Sequence, residues 1–240
     1  MAIDPVLLDG VKTWHLKQCP LFRMLEEKEL KDLATVSHII SFGPSEIVPL
    51  QSDGDGNIWF VKRGFLKMGY TDAGGHQAVV MLLSPSDFFG ALTPIRPESF
   101  GEHCTTLTSV CLVRITRDRL ETLLRRKPDV AVQLAHTSFD RIQRLQLRLA
   151  EVMMRPVEAR VAMTLLELNR LCGVNADEAG RRRRLELPLS HGDLAQLVGS
   201  SREMVTYVLR RFRESGLVET SRKEIVLLDP EGLEAVRDTA

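Results

Sequence analysis

The chain has 240 residues, 44% hydrophobic and 27% charged, and its 32 basic and 32 acidic side chains cancel to a formal charge of zero. That composition describes a globular protein able to bury substantial cores, and the length favours two domains over one. Apolar runs are short and interrupted, and the opening MAIDPVLLDGVKTWHLKQ has no basic stretch followed by an apolar one, so neither membrane insertion nor export is indicated and a cytoplasmic location is expected.

Residues 20–38, PLFRMLEEKELKDLATVSH, set Leu25, Leu30, Leu33 and Ala34 at helical spacing, which predicts a short helix. From Ile39 to Ile115 the period changes. The runs IWFV, FLKMGY, AVVMLL and CLVRI are rich in β-branched and aromatic residues, and turns such as SDGDGN and DAGGH separate them. This spacing predicts an antiparallel sandwich or barrel. Helix returns from about Arg117, and Pro128-Asp129 can start a long one. In it Ala135, Ser138, Ile142, Leu145, Leu149 and Val152 fall at alternating steps of three and four, the a/d pattern of a helix that pairs with another helix. Arg141, Arg144 and Arg148 lie off that stripe. A twin from a second copy of the chain is the economical partner, and packing on its own sandwich is the alternative.

Met153 to Pro156 interrupts the helix, and a hinge is expected there. A further helix, Val157 to Leu171, carries Val161, Leu165 and Leu168 on one face. GVNADEAGRRRRLELPLS then reads as a polar, basic connection whose Arg181 to Arg184 either reach a phosphate backbone or sit in solvent. Ser190 follows as an N-cap, with Asp193 at the third helical position. These changes divide the chain into 1–127, 128–155 and 156–240.

Helix from Gly192 to Val198, a turn at Gly199-Ser200 and helix from Ser201 to Ser215 make a helix-turn-helix. Ala195, Leu197 and Val198 would pack on Val205, Val208, Leu209 and Phe212. After Gly216, LVETSRKEIVLLD reads as two short strands around a Ser-Arg-Lys turn, the wing of a winged helix. Such a unit puts the first turn of its second helix in the major groove, which brings Ser201, Arg202, Glu203, Thr206 and Tyr207 to base edges, with Ser200 in the same DNA-binding set. Arg202 can donate twice to guanine and Glu203 can accept from cytosine, each contact worth about 1–3 kcal/mol of discrimination. Arg210, Arg211 and Arg213 lie further along, toward phosphates or neighbouring acids. Zero net charge is compatible with this, because the local field decides.

Cys19, Cys104, Cys111 and Cys172 show no CxxC or zinc spacing and read as free thiols packed as small hydrophobes. Cys104 as a redox switch is a further expectation, motivated by adjacency to His103, which would lower the thiol pKa. An enzyme of the double-stranded β-helix type needs clustered His and carboxylate ligands, which His76 and His103 lack, so no catalytic centre and no metal site are expected.

The stretches CPLFRMLEEKELKDLA, NIWFVKRGFLKMGYTDAGGHQAVVMLLSPSDFFG and LSHGDLAQLVGSSREMVTYVLRRFRESGLVE, with the turn pattern Gly64, Gly74-Gly75 and Pro85-x-Asp87-x-x-Gly90, resemble a known family over nearly the whole chain. They are similar to the bacterial transcription regulators of the cyclic-AMP receptor protein and fumarate-nitrate reduction regulator (CRP/FNR) superfamily. The resemblance implies an α+β chain with an N-terminal antiparallel, jelly-roll-like β-roll as sensor, a long dimerisation helix and a C-terminal winged helix-turn-helix. It further implies a homodimer on a palindromic promoter site in double-stranded DNA, with RNA polymerase as a partner if it activates. Arg202-Glu203 match the pair that reads the inner G·C pairs of each half-site, and Ser190 matches a phosphate-contacting hydroxyl. Tyr207 stands where a base-reading arginine is common, which leaves the outer base open.

The effector region resembled is Gly90, Ala91, His103, Cys104 and Gln146. Members that bind cyclic AMP carry Gly-Glu, then Arg-Ser about ten residues on, and Thr-Ser on the dimer helix. Here Ala91 follows Gly90, SFGEHCTT has no Arg-Ser, and the helix has Leu145-Gln146. A buried cyclic phosphate without its arginine would be an unpaired anion, so cyclic AMP is not the expected effector; Arg96, the only nearby cation, is left open as a substitute for that arginine. Cys19 alone does not match the several N-terminal cysteines of iron–sulfur members. Haem members would suggest His15, His38, His76 or His103 as axial ligand. The alternatives are therefore a haem- or thiol-based sensor of redox state or gas on the same fold, or a dimeric scaffold without DNA, which would not need Arg202-Glu203 on an exposed helix end.

Overall fold

Why IWFV is apolar at every position, when a half-buried strand should alternate, is answered by what covers it. The structure, a computed structural model, describes residues 13–14, 16–50, 56–75, 77–90, 100–178, 180–221 and 223–239. It divides into two units, Met1–Met68 with Leu82–Gln143, and Gly69–Met81 with Arg144–Ala240. After a 3-10 turn at Pro20–Phe22 comes α1 (Glu27–Thr35), closed by a reciprocal cap in which Glu29 accepts from the Glu26 N–H at 3.0 Å. Strands β1 (His38–Phe42), β2 (Asn57–Arg63), β3 (Leu66–Asp72), β4 (Gln77–Leu83), β5 (Phe88–Phe89), β6 (Phe100–Thr106) and β7 (Val110–Thr116) follow. They form one sheet in the order β1-β7-β2-β5, antiparallel throughout, and another in the order β4-β3-β6.

Successive side chains of β2 point to opposite faces. Ile58 and Phe60 join Val113 and Ile115 of β7 against Leu16, Phe22, Leu30 and Leu33, all buried. Trp59 and Val61 face the other way, and Trp59 stacks on Phe89 at 6.3 Å and meets Phe42 edge-on at 6.3 Å. Both faces are covered, so the strand has no polar side to show. Phe22 and Phe60 bring their ring centroids to 4.9 Å at the heart of the first cluster. Phe60→Ala is expected to cost about 3–5 kcal/mol, read from a denaturant melt of unchanged slope. A loss below about 1 kcal/mol would show that the cluster closes over the gap.

Two glycines of the quoted turn pattern are required by geometry. Gly64 and Gly90 have φ of +88° and +107°, and a Cβ there would lie 2.4 Å from Ser109 O and 2.2 Å from Asn57 O. Asp87, between them, accepts from both the N–H and the hydroxyl of Ser84 at 2.8 Å.

Helix α2 (Arg117–Arg126) leads to α3 (Pro128–Met154), in whose 27 residues only Val130 is buried. Arg141 turns from its apolar stripe to the roll, its guanidinium 4.3 Å over the Phe88 ring and 3.5 Å from Asp87. Arg155-Pro156 ends α3, because the residue before a proline is pushed from helical geometry, and Pro156 becomes the N-cap of α4 (Val157–Cys172).

The second unit continues with β8 (Gly173–Asn175), β9 (Arg183–Leu185), α5 (His191–Val198), α6 (Arg202–Glu214), β10 (Val218–Ser221), β11 (Glu224–Leu227) and α7 (Pro230–Thr239). The wing expected at β10 and β11 is present, but it is half of a sheet. The order is β10-β11-β9-β8, all antiparallel. This corrects the polar connection expected after α4: Arg183 and Arg184 of its four arginines stand on a strand, and Arg183 is turned inward, donating to Gly173 O at 2.7 Å, to Asn169 Oδ1 at 3.2 Å and to Asn175. Leu185, Leu187 and Leu189 are buried at every second position, a period-two signal that the charge of RRRR hides. Helix α7, absent from the sequence expectation, packs on α4 and starts where Asp229 accepts from the Gly232 N–H at 2.9 Å.

All four cysteines are unpaired, with Cys19, Cys104 and Cys172 buried and Cys111 half-buried. Among the described residues no helix is long and apolar enough to cross a membrane.

Candidate nucleic-acid interface

Ser190 opens α5 with a capping box. Its hydroxyl oxygen accepts from the Asp193 N–H at 3.1 Å, while Asp193 Oδ2 accepts from the Ser190 N–H at 3.0 Å and its O–H at 2.6 Å. Gly199, left-handed at φ 68 and ψ 49, ends the helix, and half-buried Ser200 follows. Ser201 then caps α6, accepting from the Met204 N–H at 3.2 Å. The boundaries come within a residue of those expected because both caps are local chemistry.

Helix α6 is divided sharply between its faces. Val205, Val208, Leu209 and Phe212 are buried against α5 and α4 together with Ala195, Leu197 and Val198, the seven contacts named from the sequence. Each large side chain so removed from water contributes about 1.5–3 kcal/mol. Arg202, Glu203, Thr206, Tyr207 and Arg210 are exposed on the other face. Glu203 stands in the first turn, where the helix dipole favours an acid. Arg210 lies 5.5 Å over the Tyr207 ring and 3.7 Å from Glu214. Arg211 pairs with Glu158 of α4 at 2.8 Å, which ties it to a neighbouring helix.

One residue of this surface escaped the sequence reading. His191 Nδ1 lies 2.9 Å from Thr206 Oγ1, which ties the start of α5 to the exposed face of α6. Burial, then the charge of Arg202, holds its imidazole below the usual pKa. The one signal for it was a histidine directly after an N-cap.

On the long helix, Ala135, Ser138, Ile142, Leu145, Leu149 and Val152 are all exposed, Leu149 to 60%. Ser138 returns its hydroxyl to Leu134 O at 2.9 Å and so adds little polarity to the stripe. Phe139 and Met153, also exposed, widen it.

The effector region is only partly described. Ala91, Arg96, His15 and His76 lie outside the described residues. Gly90 follows β5, exposed Gln146 lies on α3, and His38 is exposed on β1. Among the described residues no three His, Cys, Asp or Glu are grouped to hold a metal ion. The expected His103 effect on Cys104 is overturned. Neighbours on a strand point to opposite faces, and the fully buried Cys104 thiol is pushed up to about 12 by burial and then by Glu102. Cys104 is therefore expected to alkylate at pH 8 far more slowly than half-buried Cys111, measured by peptide mass spectrometry. Faster labelling of Cys104 would restore the switch.

Residues 39–127 match the cyclic nucleotide-binding domain family, and residues 159–236 match the Crp-like helix-turn-helix domain family. The chain is 27% identical over 218 residues to the CRP-like cAMP-activated global transcriptional regulator of Mycobacterium tuberculosis (strain ATCC 25618 / H37Rv), covering 91% of this chain and 96% of that one. It is 26% identical over 196 residues to the global nitrogen regulator of Synechocystis sp. (strain ATCC 27184 / PCC 6803 / Kazusa), covering 80% and 85%. The structure of FixK2 from Bradyrhizobium japonicum superposes with a TM-score of 0.71 at 20% identity, over 85% of this chain and 99% of that. A CRP/FNR-family transcriptional regulator from Thermus thermophilus gives 0.69 at 23% identity, over 84% and 98%.

Proposed function

The chain belongs to the CRP/FNR family of transcription regulators, and on that footing we propose that it works as a homodimer reading a palindromic DNA site. Arg202 and Glu203 of each copy meet base edges in the major groove, and Ser190, Ser200, Ser201, Thr206, Tyr207 and Arg210 line the same approach. The observation that carries this reading is the exposed, serine-capped first turn of α6, held from behind by four buried side chains. The uncovered stripe of α3 supports the twofold pairing, since two copies joined there cover each other's apolar residues. Two half-sites about 34–36 Å apart then fix how the recognition helices must stand, and the state of the β-roll acts by changing that separation.

Selection of binding sites from random duplexes, followed by titration against salt, tests the reading. A palindrome should emerge, and log K should fall by about 0.9 for each phosphate neutralised per unit of log salt. Recovery of no common sequence would overturn it. The effector is not cyclic AMP, for want of the phosphate-binding Arg-Ser in SFGEHCTT. Saturating cyclic AMP is accordingly expected to leave the gel-shift midpoint where it was, and a tenfold tightening would refute the point.

A further inference from the structure

The last carbonyls of a helix have no partner within it. At the end of α5 the N–H groups of Gly199 and Ser200 both return to Ala195 O. Leu197, Val198 and Gly199 present their own carbonyls outward, and two arginines from two other helices meet them. Arg148 of α3 donates from Nη2 to Leu197 O. Arg160 of α4 donates from Nη1 to Val198 O at 2.8 Å and to Gly199 O at 3.1 Å. Positive charge is favoured at this end of a helix. Arg148 is half-buried, and desolvation lowers its pKa against the pull of Glu167 and Glu151.

The same part of α3 is held twice more. Val152 lies beside Gly199, where an added Cβ would come within 3.6 Å of Val152 Cγ2. Arg155 donates to Arg237 O of α7 at 2.6 Å. These contacts span the break at Pro156, and all fall within the unit that begins again at Arg144. Arg202 is only three residues beyond the last clamped carbonyl.

We propose that Arg148 and Arg160 are positioning residues for DNA recognition: together they clamp the α5–α6 turn to the long helix and to α4, so that rotation of α3 carries the recognition helix with it. The pivot then lies upstream of Arg148, and Met153–Pro156 moves with the winged helix. This rests on the DNA-reading role proposed above, but neither arginine touches DNA in it. Each acts through the carbonyls of α5, and base contacts that need correct placement within about 0.5 Å are the ones that suffer when the turn is loosened.

The full-length chain is compared with Arg148→Met, Arg160→Met and Arg148→Lys. Methionine keeps most of the side-chain length and removes the donor, while lysine keeps a donor. Two readouts are used: amide hydrogen exchange across residues 195–204, and anisotropy with a selected duplex and a scrambled one. Both methionine variants should exchange faster over 195–204 and lose tenfold or more in affinity for the selected duplex. Affinity for the scrambled duplex should stay within twofold and the salt slope should be unchanged, with Arg148→Lys recovering part of the loss. Unchanged exchange overturns the clamp. So does a parallel fall for both duplexes with a shallower salt slope, which would make the arginines phosphate contacts. If the unsubstituted protein does not tell the duplexes apart, the DNA-reading role is what falls, and the exchange rates alone then decide the clamp.

Discussion

A duplex selected for tight binding is expected to lose its advantage over random DNA when Arg202 is replaced by alanine. A bidentate arginine–guanine contact discriminates by about 1–3 kcal/mol. Two copies on two half-sites double that, so the specificity ratio should fall by roughly 30-fold to 10⁴-fold. The dimer and the fold should be untouched, because Arg202 is exposed and the packing of α6 is made by Val205, Val208, Leu209 and Phe212 on its other side. The salt slope should also hold, since a base contact releases few counterions. Competition gel shifts and sedimentation of the same sample measure all three. Survival of the original preference in a repeated site selection would remove Arg202 from the base-reading set.

Leu149→Asp is expected to break the proposed homodimer. Leu149 is 60% exposed in the single chain and stands in the stripe with Leu145 and Val152. In a twofold seam its replacement removes about 1.5–3 kcal/mol of burial per copy and places two carboxylates in a drying interface at several kcal/mol each. Micromolar protein should then sediment as monomer and lose the tight palindromic binding together with its avidity. Leu147→Asp is the control. Leu147 is 65% exposed but two residues from Leu145, on the opposite side of the helix, and its substitution should leave the dimer alone. An intact dimer in Leu149→Asp, or a broken one in Leu147→Asp alone, would place the interface elsewhere.

The caps and the buried stripe that hold Arg202 in place were legible in the sequence. Ser190, Asp193, Gly199 and Ser201 set the helix ends through side chains and a left-handed turn acting within a few positions, so the sequence pattern and the observed caps agree. The buried stripe of α6 was equally plain, because helical period alone selects it. His191 was missed: its partner Thr206 is fifteen residues away, and only the crossing of two helices brings them together. RRRRLELPL misled for the opposite reason. Its charges suggested solvent, yet Arg183 and Arg184 pair with Leu227 and Val226 of the wing, a partnership that no local signal announces. His103 and Cys104 show the remaining failure, where adjacency in sequence means opposite faces in a strand.

By itself the sequence determined the β-roll's short strands, the long helix with its apolar stripe, and the capped helix-turn-helix with its wing. Those follow from periodicity, caps and turn glycines, whose energetics are settled within one or two turns of chain. Only the tertiary structure decided that Cys104 is fully buried, that β8 and β9 complete the wing sheet, and that Arg148 and Arg160 end on one turn of α5. The last two residues reach carbonyls 49 and 38 positions away. Contacts over such separations form where packing closes the chain on itself, and nothing in the local propensity of an arginine on a helix states which carbonyl will be there to receive it.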